Sequence, residues 1–199
     1  ISFTDPMVND TNNLLSGSLF YSFSGRSSMY YAPLDMITKG GSFRWGRRFK
    51  WPDDYFRGSW SFTAHQRIYE ADNEEQLQLY TGGLNETVGV SITQSISRDS
   101  RDHPEFPTIG SLMAISSSIS GGPLGGNEDF HKHVLNLEWY TPTVWKFVLM
   151  SSVKIGGIKT LPSGDNERSM VPFNERFIMG GSGMVYGNPL RGYEDNRVG

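Results

Sequence analysis

Some residues of this sequence have the types and spacings that catalysis or metal binding requires. His131 and His133 stand two positions apart, so a strand would place both imidazoles on one face, where they could bind zinc. The sequence offers no third ligand at a suitable spacing, and we predict no metal site. Asp53 and Asp54 could form an acid and base pair, but next to Pro52 they indicate a turn.

Two further motifs have compositions that occur in functional sites. The segment Gly121-Gly122-Pro123-Leu124-Gly125-Gly126 is rich in glycine, but no helix with Lys-Ser/Thr follows it, as a phosphate-binding loop requires. Asn85-Glu86-Thr87 fits an N-glycosylation acceptor, which has no meaning in most bacterial envelopes. The chain has no Cys, which excludes thiol catalysis and disulfides and suits an envelope compartment. No Ser/His/Asp arrangement stands out, so we predict neither an enzyme nor a cofactor.

The composition narrows the classes of protein to which the chain can belong. With 37% hydrophobic and 13% aromatic residues, it is too apolar for disorder. The longest strictly apolar runs have four residues, such as Phe147–Met150, which excludes a helical membrane protein. Lys and Arg total 18 against 21 acidic residues, so there is no basic surface for nucleic acid. The chain opens on Ile1 rather than Met, and we expect an excerpt of a longer protein.

Apolar and polar residues alternate along most of the chain, which is the pattern of half-buried strands. From Leu15 to Phe23, one face carries large apolar residues and the other mostly serine, and later segments repeat this division. The pattern predicts an all-β protein, and in a transmembrane barrel the apolar face would point outward. The residues predicted to lie on that face are Leu15, Leu19, Phe43, Trp45, Phe62, Val90, Ile92, Leu137, Phe147 and Val153.

The connections between these segments alternate in length. The short ones contain Asp5-Pro6, Trp51-Pro52-Asp53-Asp54, Phe106-Pro107-Thr108-Ile109-Gly110 and Thr141-Pro142-Thr143, and the long ones run over about 25–39, 67–86, 121–131 and from about 157 onward. Transmembrane barrels combine this alternation with strands of ~10 residues and girdles of aromatic residues. The aromatic residues beside the short turns fit such a girdle: Trp51, Tyr55, Phe56, Trp60, Trp139, Tyr140 and Trp145.

A soluble β-sandwich has the same alternation and is the alternative on pattern alone. The polar face consists of Ser, Thr, Lys and Arg, which suits a wide water-filled lumen, so we favour an antiparallel transmembrane β-barrel. Arg47 falls on the lipid-facing parity near a short turn, where its stem can extend to the headgroups.

The turn at Pro142 predicts a register between the two strands that flank it. Antiparallel pairing about this residue would set Glu138 opposite Lys146 on the polar face. We expect a cross-strand ion pair there, contributing about 0.2–1 kcal/mol.

Three motifs in the second half of the chain resemble the BamA family of outer-membrane assembly factors, in which periplasmic POTRA domains precede a sixteen-stranded barrel. Phe106-Pro107-Thr108-Ile109-Gly110 resembles a periplasmic turn of the family. The run from Val171 to Gly181 resembles its Pro-Phe/Tyr-x-Glu-x-Phe-x-x-Gly-Gly motif, and Leu190-Arg191-Gly192-Tyr193 resembles the Arg-Gly-Phe/Tyr signature of the sixth external loop. Ser2–Pro6 is similar to the end of the fourth strand, and 120–126 to a fifth external loop.

The resemblance implies how the chain maps onto such a barrel. Residues 1–199 would be a partial barrel domain of seven to eight strands, the fourth to the eleventh, followed by the inserted sixth loop over 157–199. The POTRA domains and the remaining strands would lie outside this chain, and the protein would be an integral protein of the bacterial outer membrane.

The resemblance also implies the site residues. In the family the sixth loop folds back into the lumen, and its arginine, here Arg191, pairs with acidic residues on strands that would follow Gly199. Gly192 would allow a sharp backbone turn and Tyr193 would pack against the wall. A solvated loop arginine is the alternative. Supporting positions of the motifs are Glu175, Phe177, Gly180, Gly181, Leu190, Phe106, Pro107 and Gly110.

The function implied is that of the central subunit of a machine that folds and inserts outer-membrane proteins, without enzymatic activity. Its partners would be nascent outer-membrane proteins, accessory assembly lipoproteins and outer-membrane lipid. The alternatives are a secretion or translocation pore of the two-partner or TamA type, which shares the signature loop, and a diffusion porin.

Overall fold

The computed structural model describes residues 1–25, 34–162, 171–172, 175–177, 179–180 and 190–193. In these residues the strands form one eight-stranded antiparallel sheet in the order of the sequence. The strands are β1 (Ser2–Asp5), β2 (Asn13–Ser24), β3 (Asp35–Arg48), β4 (Phe56–Glu70), β5 (Glu86–Asp99), β6 (Gly110–Ser120), β7 (Phe130–Pro142) and β8 (Val148–Thr160). The predicted all-β architecture is confirmed.

The register places the predicted outward residues on one face of the sheet. Phe43 pairs with Phe62, which pairs with Ile92 on the next strand. Leu137 lies opposite Val153 in the same way. Because residues directly opposite in an antiparallel ladder point to the same side, these pairs form a continuous apolar face. Many of its side chains are exposed, among them Leu19, Phe43, Phe62, Ile92 and Val153.

The other face is lined by short hydroxyl side chains that bond across the strands. Ser18 and Ser42 oxygens lie 2.8 Å apart, and Thr93 donates to Ser118 at 2.9 Å. A polar wall of small residues next to an apolar outer face is the arrangement of a barrel with a wet lumen. We refer to the hydroxyl side as the inner face and to the apolar side as the outer face.

The predicted pairing of Glu138 with Lys146 is wrong. Strand β7 continues through Pro142, which pairs with Val148, and so Glu138 lies opposite Ser152. The chain reverses around Trp145, which has a positive φ of 58°, and Lys146 lies in the turn with its ammonium 6.0 Å from that indole ring. Proline lacks only the backbone N–H donor and is therefore tolerated at the end of a strand. Its position did not mark the centre of the turn.

The strands extend further toward the long connections than the sequence predicted. Strand β3 begins at Asp35, β4 ends at Glu70 and β8 ends at Thr160. The connection after β4 contains the helix α1 (Glu74–Thr81), which the alternation pattern did not reveal. Single 3₁₀ turns cover Val8–Asp10 and Gly122–Leu124. None of the helices in the described ranges is long and apolar enough to span a bilayer.

Helix α1 covers the start of β3 and the end of β4 with a small apolar cluster. Leu34 is fully buried and Tyr69 is 4% exposed, and both pack against residues that include Leu77 of the helix. Asn73 caps the helix by accepting a hydrogen bond from the Gln76 amide at 2.8 Å. The long connection is therefore folded onto the sheet rather than extended away from it.

The face assignment predicts the result of cysteine labelling. This chain has no Cys, so single substitutions at Phe43, Phe62 and Val153 give one label each in a full-length protein from which any cysteine outside this chain has been removed. We expect these sites to react slowly with a water-borne maleimide and readily with a lipid-soluble reagent. Ser42 and Ser61, on the inner face next to them, are matched controls and should react with the water-borne reagent. Fast aqueous labelling at most outer sites would contradict the assignment.

Candidate functional site

The connection between β6 and β7, Gly121–Asp129, folds over the inner face and completes the edge of β5. Strand β6 ends at Ser120, opposite Ser91, so the first residues of β5, before Ser91, have no strand on that side. The loop supplies the missing bonds: the amides of Gly121 and Asn127 donate to the carbonyls of Val90 and Val88, each at 2.9 Å. The loop is thus held to the sheet by main-chain hydrogen bonds.

Glu128 fixes this loop through a buried ion pair. Its side chain is 2% exposed, and Arg67 Nη1 donates to its two carboxylate oxygens at 2.7 and 2.8 Å. Thr87 Oγ1 donates to Oε1 at 2.7 Å, and His65 Nε2 lies 3.1 Å from Oε2. Three wall residues therefore bind one loop carboxylate.

The hydrogen bonds decide the protonation state of Glu128. Burial raises the pKa of the Glu128 carboxyl, but the hydrogen bonds from His65 and Thr87 and the charge of Arg67 outweigh it, so the pKa lies below its ordinary range. The ion pair is therefore fully formed above the ordinary carboxyl pKa and is lost only as the pH falls through the lowered one. The loop is anchored at neutral pH.

The wall and the loop approach each other closely at two glycines. A methyl group on Gly89 would collide with the His65 ring and the Glu128 carboxylate, so a larger residue there would displace these side chains. Gly126 has a positive φ of 96°, and a side chain there would meet the Val88 carbonyl. The predicted loop over the glycine-rich segment is confirmed, and Gly126 has the backbone conformation that the loop requires.

A second segment, the short stretch Glu175–Phe177, lies against the same wall. Lys132 Nζ donates to the Glu175 carboxylate at 3.1 Å and to its carbonyl at 2.8 Å. Phe177 packs over Gly156, and the Lys132 ammonium is 5.1 Å from the Phe177 ring centroid. Glu175 also lies 3.9 Å from Arg67 Nη2, so Arg67 faces carboxylates from both segments.

We call the residues that join the two segments to the wall the anchor cluster; its members are His65, Arg67, Thr87, Glu128, Lys132, Glu175 and Phe177. One guanidinium group, of Arg67, and one ammonium group, of Lys132, face the carboxylates of Glu128 and Glu175, so these four charges balance. The anchor cluster can hold two connections against the inner face.

Sequence motifs identified only part of this cluster. Glu175 and Phe177 were predicted as supporting residues, and the structure places them on the wall. Glu128 was missed because the sequence Asn127-Glu128-Asp129 is typical of a solvated turn. His65 and Arg67 share the inner-face parity on β4, which is a signal, but Thr87 joins them only through the register between β4 and β5.

The signature residues 190–193 lie apart from the anchor cluster. Arg191 and Gly192 are exposed and Tyr193 is 56% exposed, while Leu190 is half-buried. Gly192 has a positive φ of 90°, consistent with the sharp turn that was predicted there. Gly180 is buried, whereas Gly181 lies outside the described residues. The role of Arg191 stays a prediction.

The short turn between β5 and β6 is organised by Asp102. Its carboxylate accepts from the Thr108 and Ile109 amides at 2.8 and 3.2 Å and from the Thr108 hydroxyl at 2.5 Å. These bonds shape the predicted turn motif, in which Phe106 is 77% exposed and Pro107 is half-buried. Gly110 closes the turn with a φ of 111°, where a side chain would strike the Ser100 carbonyl.

The other candidate residues have local roles. Asp53 accepts from the Tyr55 amide at 3.0 Å and from Arg98 Nε at 2.8 Å, so the predicted turn at Asp53-Asp54 is confirmed. His131 and His133 lie on the outer face with ring nitrogens 3.1 Å apart. Within the described part of the chain, no group of three His, Asp or Glu side chains is placed to hold a metal ion.

The Asp102 bonds predict a pH dependence of the turn. Hydrogen bonds from the Thr108 hydroxyl and amide lower the pKa of Asp102, so its contribution persists below the ordinary carboxyl pKa of ~3.9 and is lost only as the pH falls through the lowered value. We expect the Thr108 and Ile109 amides to keep their protection from hydrogen exchange between pH 6 and pH 4. Asp102→Asn should lose protection already at pH 6, whereas Glu105→Gln in the same turn should not. Equal protection in both variants would contradict this role.

An antiparallel sheet with an apolar outer face, a hydroxyl-lined inner face and connections folded onto that inner face defines the wall of a transmembrane β-barrel. The family model described as the Omp85 superfamily domain matches residues 1–199. The chain therefore belongs to the Omp85 superfamily, and it forms part of an integral outer-membrane β-barrel.

Two relatives confirm the resemblance that the motifs indicated. The chain is 28% identical over 199 residues to the outer membrane protein assembly factor BamA of Nitratidesulfovibrio vulgaris, covering 99% of this chain and 23% of that protein. The crystal structure of BamA from Haemophilus ducreyi lacking POTRA domains 1–3 superimposes with a TM-score of 0.77 at 18% identity, over 100% of this chain and 38% of that chain. The chain thus spans less than half the length of either relative.

Proposed function

We propose that this chain is part of the barrel of a protein that folds and inserts other β-barrel proteins into the outer membrane. The observation that carries the proposal is the 28% identity to an outer membrane protein assembly factor over nearly the whole chain. The Omp85 superfamily match over residues 1–199 supports it. The activity needs no nucleotide or cofactor, because it consists of templating strands rather than transforming a substrate.

The physical basis of such an activity is backbone hydrogen bonding. A strand that enters lipid must satisfy its amide and carbonyl groups at once, since each unsatisfied group costs several kcal/mol there. A barrel that can open between two of its strands offers an edge on which a client strand pairs by β-augmentation. The partners are therefore nascent outer-membrane proteins, with accessory assembly lipoproteins and lipid around the barrel.

In this proposal the present segment is the fixed wall opposite the opening. Seven consecutive antiparallel ladders join β1 to β8. The anchor cluster adds ionic contacts that hold Gly121–Asp129 and Glu175–Phe177 on the inner face of that wall. A rigid wall allows movement to be confined to strands outside this segment.

The experiment that tests the proposal is assembly in liposomes. The full-length protein is reconstituted, a urea-denatured outer-membrane protein is added, and its folding is followed by the heat-dependent shift in gel mobility. We expect faster folding of the client than in empty liposomes and in liposomes that contain an unrelated porin as a matched control.

The alternatives give different outcomes in the same assay. A translocation pore would move a client into the liposome lumen without inserting it, and a diffusion porin would give a large steady conductance without accelerating client folding. Either result, with the reconstituted barrel itself folded, would contradict the proposed function.

A further inference from the structure

The outer face of the sheet carries three basic or imidazole side chains together at one end. His131 on β7 lies directly opposite Lys159 on β8, and His133 lies two residues along the same strand, opposite Gly157. We call these three residues the outer basic patch. On β6 to β8 the other outer positions are uncharged, and a cationic side chain facing lipid is unfavourable unless it meets water or an anion.

The imidazoles form a directed hydrogen-bond chain. Ser117 Oγ lies 3.0 Å from His133 Nδ1, and His133 Nε2 lies 3.1 Å from His131 Nδ1. If the serine hydroxyl donates, each imidazole in turn donates from its Nε2, and the chain ends on the Nε2 proton of His131. An anion next to His131 selects this direction, because it requires a donor at the end of the chain.

The position along the strand places the patch at the boundary of the bilayer. Trp139 lies on the same face near the short-turn end of β7, eight residues from His131. At ~3.3 Å per residue and a tilt of ~40°, the two are separated by about 20 Å along the membrane normal. This separation is close to the ~25 Å height of the apolar band, so with Trp139 at one interface the patch lies near the opposite edge of the band, within reach of lipid headgroups.

The outer strand positions around the patch leave room for an anion and supply none, and the nearby Asp129 accepts a hydrogen bond from the Gly122 amide at 2.6 Å. The outer positions of β6, β7 and β8, all within the described residues, carry no Asp or Glu. Gly157, beside His133, has open space where a side chain would be. The face on which the patch lies meets lipid, so the anions available there are the phosphates of membrane lipids.

We propose that the outer basic patch binds the phosphate group of an anionic membrane lipid at the bilayer surface. The Lys159 ammonium supplies the charge, His131 donates a hydrogen bond, and His133 with Ser117 orients His131. The headgroup lies over Gly157, between the two strands. This proposal depends on the barrel lying in a membrane and does not depend on the assembly activity.

The test is photocrosslinking in bilayers. The full-length protein is placed in phosphatidylcholine vesicles with a photoactivatable phosphatidic acid, and crosslinks within 130–160 are measured by mass spectrometry. We expect the variant His131→Gln/His133→Gln/Lys159→Gln to give at least five-fold fewer crosslinks in this hairpin. Lys154→Gln/Lys146→Gln is the matched control, because these lysines lie on the inner face and in the turn of the same hairpin, and it should label as wild type.

Three outcomes would overturn the proposal. They are equal labelling of wild type and triple variant, equal labelling of wild type by a photoactivatable phosphatidylcholine, and loss of labelling when inorganic phosphate is added at the concentration of the lipid. The last result would identify a site for a free anion rather than a lipid. Heat-dependent gel mobility reports whether each barrel is folded. The single variants Lys159→Gln and Lys154→Gln repeat the comparison. We expect a two- to three-fold loss of crosslinks for Lys159→Gln and no loss for Lys154→Gln.

Discussion

Replacing Glu128 by Gln in the full-length protein is expected to release the Gly121–Asp129 loop from the inner face. The change leaves the Arg67 guanidinium, 9% exposed, with the more distant Glu175 carboxylate, 3.9 Å away, in place of the direct ion pair. Removing one partner of a buried ion pair costs about 3–5 kcal/mol, because the remaining charge stays desolvated. The cost falls on the loop and its contacts with β5 rather than on the strand ladders.

Hydrogen exchange and limited proteolysis measure this release. The amides of Gly121 and Asn127, which bond to β5, should lose protection in Glu128→Gln, while those in the middle of β7 should not. Glu105→Gln, in an exposed turn at the other end of the sheet, is the matched control and should leave the loop protected. A loop equally protected in Glu128→Gln would show that the main-chain bonds alone hold it.

A double variant separates the ion pair from the packing around it. Arg67→Met with Glu128→Leu removes both charges together, and such replacements are often close to neutral. We therefore expect the double variant to protect the loop better than Glu128→Gln alone.

The second large effect is expected from Arg191→Ala, and it concerns assembly rather than folding. Arg191 is exposed in this chain, and the family resemblance implies carboxylate partners on strands beyond Gly199. If those partners bury the guanidinium, removing it leaves their charges buried and unpaired, at a cost of about 3–5 kcal/mol. The sixth loop would then be held less firmly, and outer-membrane assembly should fall more than the amount of the protein itself.

Complementation of a depletion strain measures this effect. Arg191→Ala should support growth poorly at normal protein abundance, and Arg191→Lys should restore it only in part, because an ammonium cannot replace a planar fork with two donors. Arg176→Ala is a suitable control, since Arg176 is an exposed arginine of the same connection. Full growth with Arg191→Ala and a protease-resistant loop would refute the role.

The alternation of apolar and polar residues predicted the faces of the sheet because the period of a strand is fixed at two residues. Phe43, Phe62 and Ile92 needed no knowledge of their neighbours to be placed on the outer face. The register was harder, since it depends on where the chain reverses. Pro142 suggested that the turn is centred on it. The chain instead reverses around Trp145, which shifts every pair of the β7 and β8 ladder relative to the predicted register.

The anchor cluster could not be predicted because its residues come from distant segments. Glu128 is 61 residues from Arg67, and only the folded loop buries their ion pair. Helix α1, by contrast, had a readable signal, because Asn73 with Gln76 is a capping pattern and Gly82 is a typical helix end. Eight residues within a long polar connection were too few to produce helical periodicity.

If the barrel templates client strands as proposed, the way the Gly121–Asp129 loop bonds to Val88 and Val90 has a further consequence. Uncovered, these carbonyls and the neighbouring amides would be a second open edge inside the lumen, and any extended client segment could anneal there. A client segment paired there would not be inserted into the bilayer, because the lumen is filled with water. The loop already pairs with this edge of β5, and the buried Glu128 holds the loop there. Client strands would then pair only at the edge that opens toward lipid.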